Sequence, residues 1–265
     1  MNSGSEIGDP VVIPWSSIGP LAGLLGIWIV GLGAYAIRCA VRGRYRRARV
    51  DQVGGSILLN NWTMEFGYWM VDGVSRGLVR LGVSPLLLTA LSLVLAAGAA
   101  VALYSGSFGV GGWLVVASGL FDLFDGEVAR ARGVAGEAGE FVDALVDRYA
   151  ELLPLLAAAG YYLHHAPPAA LVVALALVAS LMITFVRTKA EAQGVTDLPG
   201  GLMRRHERVL YIGVGAASSP IPAVWLEPGA TRPLYHLALL GFGLVALVGN
   251  IVAVRQAVRV YRRLR

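Results

Sequence analysis

Charge and cysteine are scarce in this sequence. Only 15% of its 265 residues are charged, while 56% are hydrophobic. That balance excludes an ordinary water-soluble domain, which carries about 25% charged residues. The single cysteine, Cys39, excludes an internal disulfide and any cysteine-based metal site. The alternating polar and apolar segments of a transmembrane β-barrel are missing too. So is a basic leader with a small-residue cleavage site. The residues ahead of the first apolar run are acidic, so that run is expected to be a retained helix.

What the chain does have is a series of apolar runs near the ~20 residues that a helix needs to cross a bilayer. The expected fold is all-α, a polytopic membrane helix bundle. Spans are expected at 15–37, 84–104, 110–130, 140–162, 169–186, 209–225 and 235–254, the sixth broken by Ser219-Pro220-Ile221-Pro222. Residues 1–14 are polar and expected to be poorly ordered. Residues 1–57 form one unit, an N-terminal transmembrane helix and a basic linker, and 58–265 the main membrane domain. Within 58–81, Trp62, Phe66, Tyr68 and Trp69 suit the aromatic belt of an amphipathic helix lying at the membrane surface, with a plain packing helix as the alternative.

Basic residues cluster at the ends of the apolar runs, and the formal net charge is +5. With residue 1 outside, the arginine run at 38–49, Arg130 and Arg132, the 187–208 loop and the basic tail all fall inside. The outer loops hold one basic residue, Arg232. The positive-inside rule then places these clusters in the cytoplasm. Basic segments that abut spans suit anionic headgroups and phosphorylated substrates, not nucleic acid.

The chemistry is concentrated at 121–153, FDLFDGEVARARGVAGEAGEFVDALVDRYAELL. Ionisable groups beside apolar flanks are costly and usually pair or serve a function. Asp122 and Asp125 are three apart, Asp143 and Asp147 four apart, so each pair shares a helical face. Gly133 and Gly136 mark a short turn between the two helices, which makes them antiparallel neighbours and gathers four carboxylates in one pocket. Such a cluster requires a cation, and hard oxygen ligands suit Mg²⁺, Mn²⁺ or Ca²⁺. Gly126 and Gly139 let a ligand approach the backbone, and Arg130 offers a planar fork to phosphate. Together they describe a site for a phosphorylated ligand, with two-metal chemistry at phosphorus. A helix–helix salt-bridge network with Arg130, Arg132 and Arg148 is the bland alternative. A divalent-cation transporter is a different class, disfavoured because the acids sit at one depth on two helices.

The full pattern, D-x-x-D-G-x-x-A-R-x8-G-x3-D-x3-D, resembles the signature of the CDP-alcohol phosphotransferase family at Asp122, Asp125, Gly126, Ala129, Arg130, Gly139, Asp143 and Asp147. The resemblance implies a six-helix core, so the first helix is an addition. It implies two divalent ions, Mg²⁺ or Mn²⁺, held by Asp122, Asp125, Asp143 and Asp147, with Asp147 also the general base. It places Gly126, Ala129, Arg130 and Gly139 around a CDP-linked lipid donor, with Asp122 and Asp125 close to it. A polar alcohol attacks the phosphorus bearing the lipid and CMP leaves. Family members often form dimers, so a homodimer is an expectation. So is an inner-membrane location in a bacterial or archaeal cell, with the site facing the cytoplasm.

The acceptor is read from R-T-K-A-E-A…G-L-M-x-R-x-E-R, which resembles the branch making inositol-phosphate lipids. Arg187, Lys189, Arg205 and Arg208 are the candidate ligands of an acceptor phosphate. Many members of that branch read K-A-R-A-E, so Lys and Arg are exchanged at 187 and 189. Glycerol 3-phosphate and serine are alternative acceptors, and CDP-choline or CDP-ethanolamine headgroup transfer to a lipid alcohol is a reversed arrangement. Glu151, one turn beyond Asp147, is expected to make a helix–helix hydrogen bond. His206 is expected to be interfacial, and His164 and His165 to lie at the far end.

Overall fold

The structure is a computed structural model that describes residues 15–43, 61–134, 136–195 and 203–265. The expectations for 1–14, for the arginines at 44–49 and for the 196–202 part of the loop lie outside these residues. The described residues form nine helices and no strand. They are α1 (Trp15–Arg42), α2 (Asn61–Arg80), α3 (Pro85–Tyr104), α4 (Phe108–Ala131), α5 (Glu137–Leu163), α6 (Pro167–Ala192), α7 (Arg205–Ser218), α8 (Pro220–Leu226) and α9 (His236–Leu264). By length and composition α3, α4, α6 and α9 can each cross a membrane, and α7 with α8 passes as a pair bent by 48°. The bend falls at Ser219-Pro220, where proline cannot donate to the helical ladder. α5, 27 residues long, carries Asp143 and Asp147 and packs among these spans.

Six helices close into a ring. α3 packs on α4 and α5, α5 on α6, α6 on α9, α9 on α7, and α7 on α4. Large side chains would hold these backbones apart, and glycine brings two of the contacts close. A Cβ on Gly112 of α4 would meet the Ala217 nitrogen at 2.1 Å, and one on Gly241 of α9 would meet the Tyr211 carbonyl at 2.5 Å. α7 is therefore pinned between α4 and α9, which fixes the height of its first turn relative to the motif helices.

One expectation is corrected here. The motif helices α4 and α5 are not packed neighbours: they scarcely touch, and each leans on α3 instead. Their facing carboxylates repel, and a shared support leaves a cleft between them. The aromatic residues of α2 follow the packing alternative. Trp62, Phe66 and Trp69 surround the fully buried Tyr35 of α1, with ring centroids 5.4, 5.6 and 5.5 Å away. The Tyr35 hydroxyl donates to the buried Glu65 at 3.4 Å. Apolar burial and one satisfied polar group thus dock α1 on α2.

The far end of the bundle is tied by tyrosines. Tyr161 and Tyr162 donate to the Pro233 and Leu234 carbonyls at 2.9 and 2.7 Å, and Tyr235 to Gly106 at 2.8 Å. Phe108 stacks on Tyr235 with centroids 4.4 Å apart.

Candidate active site

The acids converge in the cleft between α4 and α5. Asp122, Asp143 and Asp147 each present one oxygen, and these oxygens lie within 4.8 Å of one another. Asp143 Oδ1 is buried with no hydrogen-bond partner. Asp147 Oδ1 also lacks an aligned donor, although Nη2 of Arg205 lies 2.7 Å away as an ion pair. Unsatisfied buried carboxylate oxygens are costly. Three hard oxygen donors, two of them with unsatisfied oxygens, fit a divalent ion such as Mg²⁺ or Mn²⁺.

Asp125 stands beside this triad. It is buried, and its Oδ2 accepts a hydrogen bond from Thr89 of α3 at 2.7 Å. One carboxylate oxygen is thereby fixed and the other left for a ligand. Sequence reasoning missed Thr89. The available signal was a pair of hydroxyls, Thr89 and Ser92, inside the otherwise apolar run PLLLTALSLVL.

The glycines and Arg130 are arranged as a shallow cradle at the mouth. A Cβ on Gly126 would meet Nη1 and Nη2 of Arg130 at 3.2 and 3.3 Å. The bare backbone at Gly126 thus gives the guanidinium its resting place. Arg130 is half-exposed and pairs with the buried Glu127 at 3.0 Å, so its fork is aimed while its outer edge stays accessible. Glu127 in turn faces Asp72 of α2. Burial, and then this negative neighbour, hold the Asp72 carboxyl above its ordinary range, against the lowering pull of Arg76. Ala129 is half-buried on the same helix, and Gly139 has open space where a side chain would stand.

The basic residues named for an acceptor phosphate divide into three groups. Arg205 reaches the acids, with Nη1 2.6 Å from Asp122 and Nη2 2.7 Å from Asp147. Arg208, one turn deeper, is buried and donates to Glu151 at 2.6 Å and to the Met203 carbonyl at 2.7 Å. Arg187 and Lys189 stand exposed toward the C-terminal end of α6, Lys189 in its last turn and Arg187 beside Glu191 at 3.3 Å. The expected helix–helix bond of Glu151 is therefore to Arg208, and within α5 Arg148 also donates to Glu151 at 3.1 Å while reaching Thr184 of α6 at 2.6 Å. Arg132 donates to the Gly82 and Val83 carbonyls at 3.3 and 3.0 Å, which ties the α2–α3 turn to the end of α4. The arginines of the bland alternative thus have other duties. His206 is exposed, and His165 packs edge-on against Tyr161 at 4.8 Å, at the far end.

A family model for CDP-alcohol phosphatidyltransferase matches residues 83–253, which includes every motif position. The chain belongs to the CDP-alcohol phosphatidyltransferase family. It is a membrane enzyme of the metal-dependent phosphotransferase type that family comprises, and α1 and α2 lie outside the match. Among its relatives, phosphatidylinositol phosphate synthase of Mycobacterium tuberculosis strain H37Rv is 31% identical over 169 residues, 63% of this chain and 77% of the relative. Archaetidylinositol phosphate synthase of Methanothermobacter thermautotrophicus is 31% identical over 157 residues, 58% and 75% of the two chains. The solved Mycobacterium tuberculosis phosphatidylinositol phosphate synthase in complex with manganese and citrate superposes with a TM-score of 0.61 at 27% identity, covering 72% of this chain and 88% of that one. The same protein with CDP-DAG bound gives the same score, with 93% of that chain covered.

Proposed function

We propose that this enzyme transfers a phosphatidyl group from CDP-diacylglycerol to inositol phosphate, releasing CMP. The observation that carries the acceptor assignment is Arg205. A bidentate guanidinium set directly beside the reacting carboxylates suits an acceptor that itself bears a phosphate. The named relatives make lipids of that class, which supports the same choice.

The residues divide the work by chemistry. Asp122, Asp125, Asp143 and Asp147 would hold two divalent ions, Mg²⁺ or Mn²⁺, which would neutralise the pyrophosphate and the departing CMP. Arg130, aimed by Glu127 across Gly126, binds the nucleotide phosphates, and the open backbone at Gly139 admits the donor close to α5. Asp147 takes the proton from the acceptor hydroxyl, which is a poor nucleophile until a positioned base assists it. The new bond joins that oxygen to the lipid-bearing phosphorus, and the bond from this phosphorus to CMP breaks. Thr89 holds Asp125 in place, and Arg208 with Glu151 holds the floor.

Phe141, Leu145 and Tyr149 are exposed along α5 beside the acids. They supply an apolar flank for the acyl chains of a donor arriving from the bilayer. The water-soluble acceptor enters from the cytoplasm, where the positive-inside rule puts this end of the bundle. The location is the inner membrane of a bacterial or archaeal cell, and the working unit is a homodimer.

CMP release by the purified chain, with CDP-diacylglycerol, Mg²⁺ or Mn²⁺ and one acceptor at a time, tests this reading. Release with inositol phosphate and not with serine supports it. Release with glycerol 3-phosphate alone keeps the phosphate-binding role of Arg205 and replaces the acceptor. Release with serine alone overturns both.

A further inference from the structure

The two oxygens gripped by Arg205, Asp122 Oδ2 and Asp147 Oδ1, belong to carboxylates of the three-acid cluster that fits a divalent ion. Arg205 is a half-buried counter-ion there, and its Nε has no hydrogen-bond partner, so the side chain is held only at its tip. Arg208 is the opposite case, buried and anchored on Glu151 and a backbone carbonyl. Of the two arginines on this face of α7, Arg205 alone has partners that a divalent ion can neutralise in its place.

We propose that Arg205 competes with the divalent cation for Asp122 and Asp147, so that binding of a phosphorylated acceptor to Arg205 raises the affinity of the site for metal. A guanidinium and a divalent ion on the same carboxylates crowd like charges together. An anion that draws the guanidinium away removes that repulsion. Reciprocity then requires that metal tighten acceptor binding by the same factor. Arg205 is thus a coupling residue, and the proposal rests on the acceptor-phosphate reading above.

Mn²⁺ binding to the full-length protein in detergent, followed by electron paramagnetic resonance without CDP-lipid, tests this. Arg205→Ala and Arg205→Gln, the second keeping a polar side chain, are compared with wild type. Both variants are expected to bind Mn²⁺ about tenfold tighter than wild type, inside the ~5–150-fold range of ordinary site–site coupling. Inositol 1-phosphate is expected to tighten Mn²⁺ binding to wild type and to leave the variants unmoved. Variants that bind Mn²⁺ no tighter than wild type overturn the competition. If glycerol 3-phosphate tightens the wild type and inositol 1-phosphate does not, the coupling stands and the acceptor assignment falls. If neither anion moves the wild type, the coupling is overturned.

Discussion

Arg208 donates through Nε to Glu151 at 2.6 Å, and both side chains are only 2% exposed. The pair joins α7 to α5 directly beneath the aspartates. Arg208 also donates to the carbonyl of Met203, whose backbone has a φ of 67°, so one guanidinium holds the turn that enters α7 as well. Removing one partner of a buried ion pair leaves an uncompensated charge, at a cost of ~3–5 kcal/mol. Arg208→Ala is therefore expected to lower the Tm of the detergent-solubilised protein sharply. A variant with unchanged Tm and a raised acceptor KM would show instead that Arg208 is a phosphate ligand.

Thr89 tests the arrangement of the donor site. Loss of a group that orients a metal ligand typically costs ~10–100-fold in metal affinity or activity. Thr89→Val preserves shape and removes the hydroxyl that Asp125 accepts, so the Mn²⁺ concentration needed for half-maximal CMP release should rise by about that factor. Thr89→Ser should restore it. Equal metal dependence in all three proteins would assign Thr89 to helix packing alone.

Two glycines separate folding from ligand approach. A Cβ on Gly112 meets backbone atoms of α7 at 2.1 and 2.5 Å, whereas one on Gly139 meets nothing within 4 Å. Gly112→Ala should lose stability by ~1–3 kcal/mol or more through overpacking, seen as a lower Tm. Gly139→Ala should keep its Tm and raise the KM for the CDP-lipid donor. Unchanged donor kinetics in Gly139→Ala would remove Gly139 from the donor site.

Chelation should abolish CMP release, and Mn²⁺ or Mg²⁺ should restore it. Asp143→Asn should resist that restoration, because it replaces a carboxylate of the triad with an amide of lower affinity for a hard cation. Full activity in excess chelator would contradict the metal assignment.

Much of this was legible in the sequence because it is written in local spacing and in run length. The helices α3 to α9 fall close to the expected spans, and Asp122, Asp143 and Asp147 meet as their offsets require. What was not legible is set by contacts between distant segments. Nothing in the turn between α4 and α5 says that both helices lean on α3. The docking of Tyr35 on Trp62 and Phe66 depends on a pairing of α1 with α2 that no period encodes. Arg205 and Arg208 lie three residues apart on one face, and spacing cannot reveal that one ends among the acids and the other is sealed a turn below.

The most direct measurement is mass spectrometry of the lipid formed when the purified enzyme is given CDP-diacylglycerol, inositol 1-phosphate and Mg²⁺. The predicted result is a phosphatidylinositol phosphate that retains both acyl chains, formed in step with CMP and absent for Asp147→Asn. A lipid product of undiminished yield from Asp147→Asn would contradict the assigned base. No inositol-phosphate lipid from the wild-type enzyme, under conditions where another acceptor is consumed, would contradict the assigned reaction.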